Sequence, residues 1–291
     1  MLFSLLLALS GTAAAFIHPG ALHTSDDFAR IKGHLDVGDE PWKAAFDLLM
    51  NNKHAQASWT ATPHPVLVRG VVTGLNQTYT DAYKDAAAAY QLAIRWHISG
   101  NDSYADASRD ILNAWGSALK DINGTSDKFL ASGLYGYQFA NAAELLRSYN
   151  GWAATDQDTF GTMLNDVFAR YNRLFLDDHN GNPDIYHYYA NWDLCNIASL
   201  MAVAIFNDNQ TMYDYAINYF LTGPGNGALP VFAIANYTEA GSGKILTQGQ
   251  EAGRDQGHAL LDHMLLGVIA QQAYNQGDDL FASYSNMILN A

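Results

Sequence analysis

The sequence contains a single cysteine, Cys195, and few basic residues, with 15 lysines and arginines against 29 aspartates and glutamates in 291 residues. One cysteine cannot form an intramolecular disulfide, so a large apolar core must supply the stability. The formal net charge of −14 disfavours nucleic acid and anionic membranes as partners. We therefore expect a protein that binds neither, and we expect it to be a monomer.

Long apolar runs are absent after the first residues of the chain. The opening segment, MLFSLLLALSGTAAA, is apolar, ends in small residues and is shorter than the roughly 20 residues of a membrane helix. It predicts a secretory signal peptide over residues 1–15, followed by one mature domain over residues 16–291. Five N-x-S/T motifs agree with an extracellular glycoprotein, at Asn76, Asn101, Asn123, Asn209 and Asn236.

Several sequence motifs of metal and cofactor chemistry are also missing. The chain has no H-E-x-x-H pair, no pair of cysteines, no Asp-rich calcium loop, no G-x-S-x-G elbow and no phosphate-binding glycine loop. We therefore expect neither a metal nor an organic cofactor.

What the sequence does contain is helical periodicity, with apolar residues at spacings of three and four. It predicts helices in six segments: Phe28 to Leu35, Trp42 to Met50, Ala82 to Ile98, Tyr104 to Leu119, Phe139 to Leu146 and Phe160 to Phe175. Alternation typical of strands is confined to short pieces such as 66–72. The pattern indicates an all-α protein.

Three segments resemble one another, each a helix, a turn rich in Asn, Asp and Gly, and a second helix: 89–115, 197–220 and 263–289. Helical hairpins that cannot bury their own apolar faces must stack on their neighbours, which favours an (α/α) toroid over a compact bundle. About ten helices can be counted, and the sequence ends within a helical pattern. We therefore expect an incomplete double ring that lacks its last helices.

The most unusual polar cluster is TQGQEAGRDQGH, over residues 247–258. If this stretch is helical, Glu251, Arg254 and His258 share one face and offer a carboxylate, a cation and a proton acceptor to one cleft. Gln250 adds an amide. The alternative is a solvated helix start with a capping carboxylate and an ordinary Arg–Glu pair.

The second cluster is DIYHYYANWDLCN, over residues 184–196. It crowds aromatic and amide groups before an apolar helix, where sugar rings could stack and a carboxylate could accept hydrogen bonds. The candidate residues are His187, Tyr188, Tyr189, Asn191 and Trp192. The alternative is a set of core aromatics with Asn191 as a helix cap.

A third candidate group lies in LASGLYGYQFANAAELL, where Tyr135, Tyr137 and Gln138 follow glycines near the expected start of a helix. These residues could line a glycan subsite, although tyrosines at helical spacing more often belong to the core. His97 and His263 lie on apolar helix faces, and we expect them to be core histidines.

The segments HPGALHTSDDFARIK, NWDLCN and EAGRDQGH resemble the alginate-lyase-like α/α-toroid polysaccharide lyases, specifically family thirty-eight. The resemblance spans nearly the whole mature chain. It implies β-elimination on a uronate-containing glycan, alginate or glucuronan, with Asn191 neutralising the substrate carboxylate and a tyrosine acting as acid. EAGRDQGH contains no tyrosine. Either His258 is the base, with Tyr135, Tyr137, Tyr188 or Tyr189 as acid, or the tyrosine lies beyond Ala291.

In this chemistry, removal of the weakly acidic C5 proton creates an enolate next to a carboxylate, which Asn191, Arg254 and Gln250 would stabilise. Two alternatives remain at this stage. One is an α/α-toroid glycoside hydrolase that pairs Glu251 with Asp255 or Asp193. The other is a glycan-binding protein without activity. An acidic protein would bind an acidic polymer only through a few cations and amides gathered in one cleft.

Overall fold

The computed structural model describes residues 15–291, so the predicted signal peptide lies outside the described part except for its last residue. Twelve α-helices lie in this part: α1 (Ser25–Asp36), α2 (Trp42–Asn51), α3 (Tyr79–Ser99), α4 (Asp102–Ala118), α5 (Lys128–Leu146), α6 (Ala154–Met163), α7 (Arg170–Asp178), α8 (Ala190–Phe206), α9 (Gln210–Thr222), α10 (Leu229–Phe232), α11 (Gln256–Asn275) and α12 (Ser283–Asn290). A π-helical segment, Leu164–Ala169, joins α6 to α7.

Four short strands form two separate sheets in the described residues. Strands β1 (Val66–Arg69) and β2 (Asp121–Gly124) pair in parallel, with Val66 opposite Asp121. Strands β3 (Ala233–Thr238) and β4 (Ile245–Gly249) form an antiparallel hairpin. Strand β1 lies in the segment predicted as a strand, whereas the sequence did not indicate its partner β2 or the β3–β4 hairpin.

The predicted helices are present, with later or earlier ends in places. The main difference is α5, which begins at Lys128 instead of near Phe139, because buried residues surround this helix and leave no one-sided apolar stripe to detect. Tyr135, Tyr137 and Gln138 therefore lie inside a helix rather than near its start. The described part has twelve helices where the sequence suggested about ten.

Helices α3 and α5 run side by side in the same direction. The Tyr83 ring lies 6.2 Å from the Tyr135 ring near their beginnings, and the His97 imidazole contacts the Leu145 carbonyl, 2.7 Å from Nε2, near their ends. Residue numbers therefore rise together along both helices.

The same relation holds for α8 and α11. Gly133 and Gly136 of α5 lie against Cys195 and Ser199 of α8 in matching order. Asp262, in the second turn of α11, lies beside Glu251 at the start of α8, and Gln272, near the end of α11, donates to the Ala198 carbonyl further along α8 at 3.2 Å. The four helices α3, α5, α8 and α11 form an inner layer of parallel helices, and their N-terminal ends lie at one end of the molecule. The other long helices return outside them, as expected of helical hairpins.

The closest helix pair in the centre is α5 with α8. Every residue of α8 except Trp192 is buried. Asn196 of α8 fixes the pairing, because its side chain accepts hydrogen bonds from Ser132 and Asn172 at 2.9 and 2.7 Å. No helix of the described part is both long enough and apolar enough to cross a membrane.

Glycine is required where α5 meets α8, and this requirement can be tested. A Cβ atom on Gly133 would lie 2.3 Å from the Cys195 sulfur and 2.7 Å from its backbone carbon. We expect Gly133→Ala to lower the free energy of unfolding by about 1–3 kcal/mol, because the helices must separate. Urea denaturation measures this value.

Gly267 of α11 is the matched control. Its Cβ would meet no atom within 4 Å, so Gly267→Ala should stabilise the helix by about 0.5–1 kcal/mol. Equal effects of the two substitutions would contradict the close packing of α5 on α8.

Candidate active site

The two polar clusters predicted from the sequence, residues 184–196 and residues 247–258, meet where α8 begins. The β3–β4 hairpin ends immediately before Gln250 and Glu251 and delivers both side chains to the first turn of α8. The Ala190 N–H donates to Gln250 Oε1 and the Asn191 N–H donates to Glu251 Oε1, each at 3.1 Å. N–H groups of a first turn have no partner inside their own helix, so the hairpin supplies the partners that α8 lacks.

Glu251 is the centre of this contact. Its side chain is buried, with 1% of the residue exposed. Oε1 accepts a second, very short hydrogen bond from the Asn191 side-chain amide, and Oε2 accepts one from the Arg254 guanidinium at 2.7 Å. One carboxylate therefore holds both groups that the sequence assigned to the substrate carboxylate. We assign Glu251 to positioning these groups, whereas the sequence suggested that it contacts the substrate.

Arg254 lies at the surface of this contact. Its guanidinium is 4.2 Å from the centre of the Tyr189 ring, a cation–π arrangement, and Tyr189 is 43% exposed. Only one N–H of the guanidinium is committed to Glu251, so others remain for a ligand. The arrangement presents a cation and a phenol at the surface, with the buried Asn191 amide on the other side of Glu251.

Asp262 of α11 is a second buried carboxyl group beside Glu251. No donor among the described residues reaches either of its oxygens, and the group that it faces is the Glu251 carboxylate. Burial and the nearby Glu251 charge raise the pKa of Asp262 to about 8. Asp262 is therefore protonated at neutral pH and adds no negative charge beside the Glu251–Arg254 ion pair.

The expectation that Glu251, Arg254 and His258 share a helix face is wrong. Residues 250–254 form turns, and α11 begins only at Gln256 because Asp255 caps it by accepting from the His258 N–H at 2.9 Å. The same carboxylate contacts the His258 ring, with Nδ1 2.6 Å from Oδ2. His258 thus forms a separate, half-exposed pair with Asp255.

The aromatic residues before α8 divide into buried and exposed members. Tyr188 is buried, accepts a hydrogen bond from Asn180 at 3.0 Å and packs 4.7 Å from the Trp192 ring. Trp192 is partly exposed, and His187 lies exposed with its ring edge-on to Tyr188. Asn191 is not a helix cap, since the cap position of α8 is Tyr189.

The third group lies on the side of α5 that faces α3. Tyr137 and Gln138 line a cavity of about 250 Å³ between α3, α5 and α11. Burial raises the pKa of Tyr137, and it raises the pKa of Tyr135 to about 12 despite the neighbouring Arg69. Both phenols therefore keep their protons at neutral pH, so they could donate one but could not readily accept one.

The sequence did not identify Arg69 as a candidate, because only the fold brings it to the tyrosines of α3 and α5. It ends β1, and its guanidinium donates to the Tyr135 hydroxyl at 3.2 Å. An Arg-Gly step after a short strand in an acidic chain was the only signal available. The two histidines expected in the core are hydrogen-bonded but only partly buried: His97 stacks on Phe28 at 4.2 Å, and His263 contacts the Ala259 carbonyl.

The carboxylate pairs that a hydrolase would need are otherwise engaged. Asp193 is buried between the His179 ring at 2.9 Å and the Gly227 N–H at 2.9 Å. Asp255 caps α11. In the described residues, no group of three or more His, Cys, Asp or Glu side chains is arranged to hold a metal ion.

Solved structures share this architecture. Alginate lyase A1-III from Sphingomonas species A1 is 16% identical, with a TM-score of 0.60 over 94% of this chain and 76% of that one. An alginate lyase from Bacteroides ovatus is 12% identical, with a TM-score of 0.59 over 94% and 82%. A histidine-to-alanine variant of A1-III with a bound tetrasaccharide is 16% identical, with a TM-score of 0.63 over 92% and 73%. The predicted α/α-toroid fold is confirmed.

The ring of helical hairpins places the protein in the class of α/α-toroid proteins. The sequence model of the family described as alginate lyase matches residues 64–290, most of the chain, and the chain therefore belongs to the alginate lyase family. The prediction of a polysaccharide lyase is confirmed, whereas membership of family thirty-eight stays a prediction. No curated protein sequence matches this chain significantly.

Asp262 generates a pH prediction. Its pKa of about 8 in the folded protein exceeds its ordinary value of 3.8, so the folded state binds this proton more tightly than the unfolded chain. The resulting stability is complete below pH ~4 and is lost as the pH rises towards ~8. We expect Asp262→Asn to remove this loss, so that the variant is more stable than the parent protein near pH 8.

Chemical denaturation at several pH values between these limits measures the difference. Asp27→Asn is the control, because hydrogen bonds from Thr24 and Arg30 lower the pKa of Asp27 despite its partial burial, and its titration falls below this window. A parent protein and an Asp262→Asn variant with the same pH dependence would show that Asp262 is ionised in the fold.

Proposed function

We propose that this protein is a secreted lyase that cleaves a uronate-containing polysaccharide, alginate or glucuronan, by β-elimination. The observation that carries the proposal is the buried Glu251 carboxylate, which holds the Asn191 amide and the Arg254 guanidinium side by side. An amide and a cation in fixed positions suit recognition of a carboxylate that gains enolate character.

Asn191 and Arg254 act on the substrate carboxylate. Loss of the C5 proton spreads negative charge onto this group, and hydrogen bonds from the two side chains become stronger as that charge grows. Gln250 contributes by holding the first turn of α8 through Ala190. Since Glu251 anchors both groups, little reorganisation accompanies the reaction.

His258 abstracts the C5 proton. The Asp255 carboxylate orients its ring and stabilises the imidazolium that forms. The C5–H electrons form the C4–C5 double bond as the C4–O bond breaks, and the leaving oxygen takes a proton from a tyrosine. Tyr189 is the exposed phenol beside Arg254, and Tyr137 is the alternative, at the cavity between α3, α5 and α11.

The aromatic side chains bind the flanking sugars. Trp192 and His187 offer exposed ring surface beside Tyr188, and sugar rings stack on such surfaces through their C–H faces. Tyr135 and Gln138 lie further along the inner layer, on α5. This division separates residues that act on the scissile unit from residues that bind its neighbours.

The reaction can be followed by the near-ultraviolet absorbance of the unsaturated product. We expect the full chain to increase this absorbance with polymannuronate or glucuronan. Arg254→Ala and His258→Ala should lower kcat/KM at least about 100-fold, because each removes a group needed in the transition state. Loss of activity in Tyr189→Phe or in Tyr137→Phe identifies the acid.

Arg30→Ala is the control for surface charge, since Arg30 pairs with Asp27 on α1 and should leave activity unchanged. Reducing ends without absorbance would indicate hydrolysis, and binding without either signal would indicate a glycan-binding protein. Either result would end the β-elimination proposal.

Secretion rests on the opening apolar segment and the five N-x-S/T motifs. Asn101 and Asn209 cap α4 and α9 through their side-chain oxygens, at 3.0 Å from the Ser103 and Met212 N–H groups. A glycan attaches to the side-chain nitrogen, so both caps are compatible with glycosylation. Protein from the medium of a eukaryotic host should lose mass on endoglycosidase treatment. Retention inside the cell without glycans would contradict this.

A further inference from the structure

Arg69 differs from the other arginines of the described residues in what surrounds its charge. Six of the eight form ion pairs with carboxylates: Arg30, Arg109, Arg147, Arg170, Arg173 and Arg254. Arg95 is buried and bonded to the Ala55 carbonyl and the Tyr104 hydroxyl. Arg69 is partly exposed and has no carboxylate partner within 4.0 Å among residues 15–291. Its positive charge is therefore available to an anionic ligand.

Tyrosines surround this cation. The Arg69 guanidinium is 5.5 Å from the Tyr79 ring centre and 5.8 Å from the Tyr135 ring centre. The Tyr135 hydroxyl accepts one of its N–H groups at 3.2 Å and so fixes the plane of the guanidinium. Tyr83 is 38% exposed and lies 6.2 Å from Tyr135, ring to ring. A guanidinium flanked by aromatic faces matches a sugar that carries a carboxylate.

The cluster lies at the same end of the molecule as Asn191. Tyr79 and Tyr83 occupy the first turns of α3, and α3, α5 and α8 run parallel. Arg69 also lies near α8, since its charge acts on Cys195 of that helix. Burial raises the pKa of the Cys195 thiol, and the positive charge of Arg69 opposes that rise. Cys195 lies one helical turn after Asn191 on α8.

We infer that Arg69, together with Tyr79, Tyr83 and Tyr135, forms a second carboxylate-binding subsite, which holds a uronate unit other than the one being cleaved. The inference rests on the proposed function for its ligand class. Arg254 shares its charge with Glu251, whereas Arg69 has no such partner, so Arg69 contributes the larger part of the attraction for the polymer. The guanidinium binds the uronate carboxylate through two parallel N–H groups, and the exposed Tyr83 ring supports the sugar.

Calorimetric binding of mannuronate and glucuronate tetrasaccharides tests the subsite without relying on turnover. A His258→Ala background slows consumption of the ligand. We expect Arg69→Ala in this background to weaken the affinity about tenfold or more and to reduce the dependence of binding on salt. Arg69→Lys should recover part of the affinity, because lysine keeps the charge but not the two-pronged geometry.

Arg173→Ala is the matched control. Its guanidinium also lies on a tyrosine ring, 3.6 Å from the centre of Tyr215, but it pairs with Asp177 on the outer helix α7. The Arg173→Ala variant should bind the tetrasaccharides with the affinity of the parent. Thermal unfolding of each variant shows whether it is folded, and Arg69→Lys provides the test if Arg69→Ala is not.

Two results would overturn the inference: unchanged tetrasaccharide affinity in the folded Arg69 variants, or no binding of either uronate by the parent. The absorbance assay reports separately on the proposed reaction. A parent that binds uronates through Arg69 but forms no unsaturated product would retain the subsite and lose the lyase proposal. A parent that forms product with an unchanged KM in Arg69→Ala would retain the lyase and lose the subsite.

Discussion

The hydrogen bonds of the buried Glu251 carboxylate are the interaction on which the site depends. An ionised carboxylate without partners in this environment would cost several kcal/mol, so Glu251 requires the Asn191 amide and N–H and the Arg254 guanidinium together. These donors belong to the start of α8 and to the turn after β4, which are distant in sequence. Protonated Asp262 completes the arrangement, because a second negative charge would compete for the same cation. The active groups therefore become ordered as one unit.

The parallel helices of the inner layer bring the residues around Glu251 to one end of the molecule. Since α3, α5, α8 and α11 run parallel, residues from their first turns lie at one end of the molecule although long hairpin connections separate them in sequence. The β3–β4 hairpin connects α10 to the turn before α11 and provides Gln250 and Glu251 to the unpaired N–H groups of α8. The close approach of α5 to α8 at Gly133 keeps Tyr135 and Tyr137 near the same end. The fold thus supplies positions, and a few polar residues supply the chemistry.

The sequence predicted the helices well where their signal is local. Apolar spacing in α3 and α4 reflects one buried face, which is visible without knowledge of neighbours. Helix α5 is buried on most sides, so its first half carries no stripe and was missed. The prediction that Glu251, Arg254 and His258 share one helix face was wrong, because Asp255 caps the start of α11 and the residues before it are not helical. The two polar clusters were found from composition, but their contact through Glu251, and the place of Arg69 beside Tyr135, depend on tertiary structure.

An acidic protein can bind an acidic polymer because distant charges on its surface are screened and only nearby charges act strongly. Screening at physiological ionic strength weakens interactions between exposed charges beyond roughly 8 Å, so the net charge of −14 acts weakly on a polymer in the cleft. Glu251 and Arg254 pair with each other, Asp262 is protonated, and Arg69 has no carboxylate partner among the described residues. Arg69 therefore offers a cation to a polymer carboxylate at contact distance although the protein as a whole is negative. The surrounding negative charge would favour departure of the shortened anionic product once its contacts with Arg69 are lost.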